Sequence, residues 1–201
     1  MDFSIVPSTI VIAISGISGS GKTTVSEFLA YKTGQTVIHW DAYDDISTSP
    51  PDYVKWYDAG SPKGYDAWDY PKLAYDLSKL KTGETIISSA TGEKLIATPI
   101  IFFDAPMGKD HSQTKPYIDY WIHLDTPLDI SLSQRILRDY NENSTSKEIL
   151  DAIKYYREKS RPMFLNWPIE RPDKTVDGSL PFDILIQEIL DDLRSKFKDR
   201  L

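Results

Sequence analysis

Gly16-Ile17-Ser18-Gly19-Ser20-Gly21-Lys22-Thr23, followed by Thr24, is the stretch that decides the fold. It fits G-x-x-x-x-G-K-[ST] at every fixed position. Its glycines let backbone N–H groups converge on phosphate oxygens with no Cβ in the way. Lys22 supplies a point charge for the terminal phosphates, and the Thr23 hydroxyl is placed to ligate Mg²⁺. Gly16, Ser18, Gly19, Ser20, Gly21, Lys22, Thr23 and Thr24 are therefore the expected nucleotide-binding residues, with ATP and Mg²⁺ as cofactors. The bland alternative is a glycine-rich turn with no ligand. The flanks argue against it. TIVIAIS (9–15) is a short apolar β-branched run that reads as a buried strand, and residues 22–32 read as a helix whose N-terminal dipole end adds to the anion site.

Outward from the loop, strand and helix patterns alternate. TVIHW (36–40), PIIFF (99–103) and YWIHL (120–124) read as further buried strands, and residues 175–176 as a short last one. Residues 42–68, broken by Pro50-Pro51, Gly60, Pro62 and Gly64, read as loop. Helices are expected from Pro71 to Gly83, over 128–140, over 146–166 and along the apolar stripe from Phe182 to Phe197. Residues 85–89 and 94–97 flank Thr91-Gly92 as a hairpin. The sum is an α/β chain: a P-loop NTPase of three α/β/α layers with a parallel sheet, a small hairpin insertion and a helical lid. We read residues 1–201 as one domain.

Three acids follow buried strands: Asp41, Asp104 and Asp125. In a parallel sheet the first two fall at the edge where ligands bind, where a carboxylate holds Mg²⁺ or takes a proton from an acceptor hydroxyl. Asp125, before Thr126-Pro127, reads better as a helix cap or turn starter. All seven arginines lie after residue 134. Arg135 and Arg138 share a helix face, as do Arg157 and Arg161, and a phosphoryl transition state needs such cations on its equatorial oxygens. A solvated face paired with nearby acids is the alternative. Between Trp40 and Tyr70 stand eight aromatics in 31 residues. Tyr43, Trp56, Tyr65 and Trp68 form an expected binding wall for a flat acceptor, with Asp44 and Asp69 for its hydroxyls. Each aromatic taken singly reads as core. None of the three histidines has a second ligand at metal spacing.

Composition narrows the classes. A net charge of −7 argues against wrapping nucleic acid. The longest apolar run, Ile10 to Ile14, is far short of the ~20 residues of a membrane span. There is no cysteine, which excludes disulfides and thiolate chemistry and fits a cytoplasmic protein. The partner expected is a small-molecule acceptor, not nucleic acid or membrane, and a homo-oligomer is left open.

GISGSGKTT, Asp41 in HWDAYDD, WDYPKLAYDL, FFDAP, IHLDTPLDISLSQRILRD and SRPMF together resemble, in order from residue 9 to 177, the uridine kinase/phosphoribulokinase-type small-molecule kinases. That group includes nicotinamide riboside and pantothenate kinases. The resemblance implies ATP- and Mg²⁺-dependent phosphoryl transfer to a hydroxyl of a nucleoside or nucleoside-like metabolite. It gives Asp41 the role of catalytic base, residues 41–70 that of acceptor region and 135–161 that of lid. Lys22, Arg135 and Arg138 join Asp41 as expected catalytic residues, and Thr23 and Asp104 are the expected metal residues. The chain departs from the pattern in three places: Asp104-Ala105 stands for the usual E-G pair, Gln134 for the first lid Arg, and residues 141–145 for the E-R-G-R stretch. Two competing readings remain at this point. One is a dephospho-CoA or nucleoside monophosphate kinase, against which residues 41–134 carry no arginine for an acceptor phosphate. The other is an NTP-binding switch protein with slow hydrolysis.

Overall fold

A computed structural model describes residues 9–61 and 63–201. In chain order the elements are β1 (Ile10–Ser15), α1 (Lys22–Thr33), β2 (Thr36–His39), α2 (Tyr53–Asp58), α3 (Pro71–Lys81), β3 (Ile86–Ile87), β4 (Lys94–Leu95), β5 (Ile100–Asp104), β6 (Tyr120–Asp125), α4 (Leu128–Asp139), α5 (Ser146–Tyr155), α6 (Arg161–Phe164), β7 (Lys174–Asp177) and α7 (Phe182–Phe197).

Five strands form one sheet in the order β2-β5-β1-β6-β7, with every neighbouring pair parallel. β1 lies at its centre because its residues are apolar on both faces. Ile12 and Ile14 join Val25 and Leu29 of α1 and Leu185, Ile189 and Leu193 of α7 in one core. Val11 and Ala13, one residue out of phase, join Leu73, Leu77 and Leu80 of α3 with Trp40, Tyr43, Phe103 and Trp121 in the other. The two-residue period of a strand thus lets one short run feed two helical layers. β3 and β4 pair antiparallel in a separate hairpin. It is shorter than its sequence pattern because Asp76 of α3 accepts bonds from the backbone N and Oγ of Ser89, pulling the strand end into a turn.

Two readings need correction and a third is refined. Residues 42–68 are not all loop: Asp52 accepts from the N–H groups of Val54 and Lys55 and so caps α2 directly after the proline pair. The helix expected over 146–166 is present as one continuous helical run over 146–164, in which α5 passes into α6 through a π-helical stretch over Tyr156–Ser160 that widens the turn ahead of Pro162. Asp125 does not cap α4; it ends β6, and α4 starts from Pro127 with no side-chain cap. Among the described residues no helix is long and apolar enough to cross a membrane.

Candidate active site

The phosphate loop runs from the end of β1 to α1 and packs against α4. Gly19 has φ +87°, and a Cβ there would lie 2.2 Å from the Ser131 carbonyl oxygen, so no other residue fits without moving a helix. Gly21, also at φ +87°, precedes α1, which has neither a side-chain cap nor an acid in its first turn. The first-turn N–H groups, around Lys22, Thr23 and Thr24, are left for an anion, and the helix dipole favours one there. Ser20 is buried, with an Oγ that has no protein partner. Gly16, Ser18 and Lys22 line the adjoining cleft.

Beside the loop, sheet register sets Asp104 level with Ile14 on one side and His39 on the other. The Thr23 hydroxyl donates to Asp104 Oδ2 at 2.6 Å, and His39 Nδ1 lies 3.5 Å from the same oxygen. That bond and the carboxylate charge hold the His39 imidazole above its usual pKa, against the opposing effect of burial. Asp104 Oδ1 is buried with no partner. A buried carboxylate oxygen without a donor is costly unless something binds it. Thr23, having spent its proton on Asp104, keeps its lone pairs for a cation. This oxygen pair suits Mg²⁺, which prefers oxygen ligands and takes most of the remainder from water and phosphate. Among the described residues no group of three or more His, Cys, Asp or Glu could hold a metal alone. Bound there, Mg²⁺ would neutralise phosphate charge.

A cleft of about 320 Å³ opens from the loop. Its lining includes Lys22, Asp41 and Arg135, the ring cluster of Trp56, Tyr65 and Trp68, and, from a later segment, Met163, Phe164 and Trp167. Trp56 and Trp68 meet edge to face at 4.7 Å. The structure brings these expected site residues together but not four others. Tyr43 is core: its ring is 1% exposed and its hydroxyl donates to Asp76 Oδ2 at 2.7 Å. The pattern misled because Tyr43 sits on the inner side of a 3₁₀ turn over Asp41–Ile46, two residues from Asp41, which faces outward. Asp44 accepts from the Tyr70 hydroxyl and Asp69 from Gln113 Nε2, both away from the cleft lining. Arg138 donates to Asp139 and is 62% exposed. Tyr53, Met107, Phe164 and Trp167 line the cleft without having been singled out. SRPMF and Trp167-Pro168, at the end of the helical run over 146–164, were the available signal.

A parallel sheet with a phosphate loop at its centre, a carboxylate–hydroxyl pair beside it and an adjoining acceptor-sized cleft define a P-loop phosphotransferase. Residues 11–174 match the Phosphoribulokinase / Uridine kinase family, and the chain belongs to that family. It is 31% identical over 192 residues to a uridine kinase from Shewanella frigidimarina, covering 86% of this chain and 87% of that one. A uridine kinase from Shewanella baltica is 30% identical over 190 residues at the same coverage. Among solved structures it resembles a gluconokinase from Sinorhizobium meliloti, with TM-score 0.54, 19% identity and coverage of 96% and 95%. A sugar kinase from Janibacter gives TM-score 0.53 at 19% identity, covering 91% and 93%. These structural likenesses bear on fold. The family and its curated relatives make the chain an ATP-dependent small-molecule kinase.

Proposed function

We propose that this kinase transfers the terminal phosphoryl group of Mg²⁺·ATP to a hydroxyl of a neutral or cationic small molecule bearing a flat group, a nucleoside or nucleoside-like compound. The observation that carries the reading is that one cleft is lined both by Lys22, Asp41 and Arg135 and by the aromatic side chains of Trp56, Tyr65, Trp68, Phe164 and Trp167. Asp41 orients the acceptor hydroxyl and takes its proton; Lys22 and Arg135 meet charge on the transferring group; Thr23 and Asp104 hold the metal. The whole chain acts as one kinase unit, with residues 41–70 serving the acceptor and 135–161 covering the donor. The uridine kinases among its relatives make uridine the first acceptor to try. A phosphorylated acceptor fits poorly, because Lys55 and Lys63 are the sole cations of residues 41–71 and neither lines the cleft.

The test is ATP consumption against a panel of nucleosides, other ribosides, pantothenate and simple sugars, with and without Mg²⁺. Turnover is expected to rise on addition of a flat-ringed alcohol and to vanish with EDTA. Turnover indifferent to every acceptor would favour the switch reading, and preference for a nucleoside monophosphate would overturn the acceptor argument.

A further inference from the structure

The two aromatic walls of the cleft come from chain segments about a hundred residues apart, yet one short segment between β5 and β6 bonds to both. On the side of Trp68, His111 Nε2 lies 2.8 Å from the Trp68 carbonyl oxygen. A carbonyl only accepts, so Nε2 carries the proton, and Nδ1 accepts from the Thr114 hydroxyl at 3.0 Å. Gln113 accepts from the Tyr70 N–H at 2.7 Å and donates to Asp69 at 2.6 Å. On the side of Trp167, Asp110 spreads its two oxygens over the N–H groups of Ile169 (2.9 Å) and Glu170 (2.8 Å), and the Trp167 side chain bonds to it as well. Lys115 pairs with Glu170.

The same segment is anchored in the core. Gly108, at φ +52°, lies on the Trp121 indole so closely that a Cβ would come within 2.1 Å of it, and Trp121 is fully buried. Four residues earlier the chain leaves β5 at Asp104. The two segments also touch each other directly: the Tyr53 and Ser160 hydroxyls lie 3.1 Å apart and Asn166 donates to the Tyr57 hydroxyl. These contacts would still join the two segments if their bonds to residues 108–115 were released.

We propose that residues 108–115 are a clasp that sets the spacing of the acceptor cleft, with Asp110 and His111 as positioning residues for its two walls. The clasp touches neither the phosphate loop nor the reacting atoms; it acts through Trp167 and Trp68. Its effect is on which flat acceptor fits and how tightly, and the part concerning the acceptor rests on the function proposed above.

Two variants release one wall each. Asp110→Asn puts an amide NH₂ where one backbone N–H needs an acceptor. His111→Phe keeps a buried ring against Trp40 and Tyr70 but removes the donor to Trp68. With the acceptor that supports turnover in the panel, each should raise acceptor KM on the order of 10-fold while kcat and the KM for ATP stay within about twofold. His111→Gln, which retains a donor, should restore most of that loss. Amide hydrogen exchange needs no acceptor: Asp110→Asn should speed exchange over 165–170 and leave 65–70 as in wild type, and His111→Phe should do the reverse. Unchanged exchange in both walls, or faster exchange through β1 and β6 as well, overturns the clasp. So does a loss shared equally by kcat and both KM values. If no acceptor in the panel is phosphorylated, the functional proposal fails, and the exchange pattern still decides the clasp.

Discussion

The two halves of the proposed site are built in opposite ways. The proposed phosphate site is nine consecutive residues at one strand-to-helix junction plus Asp104 from the neighbouring strand, and it offers backbone N–H groups, one lysine and one hydroxyl. The proposed acceptor site draws side chains from three separated stretches, 53–68, 106–107 and 163–167, and a fourth, 108–115, bonds to the first and the last of them. Phosphate is met by groups every chain possesses, arranged by glycine; a particular acceptor is met by side chains that tertiary packing must gather.

Removing the charge of Lys22 or of Asp41 tests that division most severely. Lys22→Ala should lower kcat by on the order of 10³-fold or more, as loss of a preorganised cation at a transferring phosphoryl group does. Lys22 lies at the cleft and outside both cores, so the melting temperature should move by no more than a degree or two. Near-normal turnover in a folded Lys22→Ala protein would end the donor-end assignment. Asp41→Asn keeps the size and one acceptor oxygen of Asp41 but loses the base. It should bind ATP normally and lose on the order of 10²–10⁴-fold in kcat. A loss of only a few-fold, measured with the true acceptor, would return Asp41 to a capping or structural role.

That asymmetry is also why one end was legible in the sequence and the other was not. The loop, the flanking strand and helix and the acid ending PIIFF are local patterns, each read from about ten residues, and Asp104 does meet Thr23. The sheet followed because its strands are apolar on both faces. The aromatic run from Trp40 to Tyr70 was a fair signal for a cleft, but it mixed two populations. Trp56, Tyr65 and Trp68 reach the cleft, whereas Trp40, Tyr43 and Tyr70 belong to the core beneath α3. Composition cannot separate them, since burial of Tyr43 depends on Asp76 being there to accept its hydroxyl. Trp167 was missed for a related reason: it lies just past the helical run over 146–164, and only tertiary packing, which sets it against His123 at the end of the central sheet, brings it to the cleft.

Smaller effects sharpen the boundary between the ends. Arg135 lines the cleft and Arg138 does not, although sequence treats them as equals. Arg135→Ala should cut kcat by roughly 10²-fold with a lesser rise in the KM for ATP, because the charge it meets grows in the transition state. Arg138→Ala should stay within a few-fold; equal losses would mean the helix moves to bring both in. Among the aromatic side chains of the cleft, Trp167→Ala should raise acceptor KM by about 10-fold and leave ATP binding unchanged. A matching rise in the KM for ATP would show that the aromatic wall serves the donor instead.

The smallest expected effect is on stability and belongs to His111. It is fully buried, and burial pushes its pKa below the usual 6.5, outweighing the Trp68 carbonyl and the charges of Asp66 and Asp69, which act the other way. Edge-on contacts with Trp40 and Tyr70 and the Thr114 hydroxyl complete its surroundings and add no charge. The folded protein therefore binds a proton here less readily than the unfolded chain. The neutral imidazole's contribution is complete above about pH 6.5 and is eroded as pH falls through that value, because the unfolded state gains protons first. His111→Gln retains a donor to Trp68 but cannot titrate. At pH 7.5 it should be less stable than wild type by about 1 kcal/mol, or roughly 2–4 °C in Tm for a chain of this length. By pH 5.5 the gap should narrow, since only wild type pays this protonation cost. Melting curves at the two pH values decide it: a gap that stays constant or widens on acidification would mean that His111 is not the neutral donor that holds Trp68 in place.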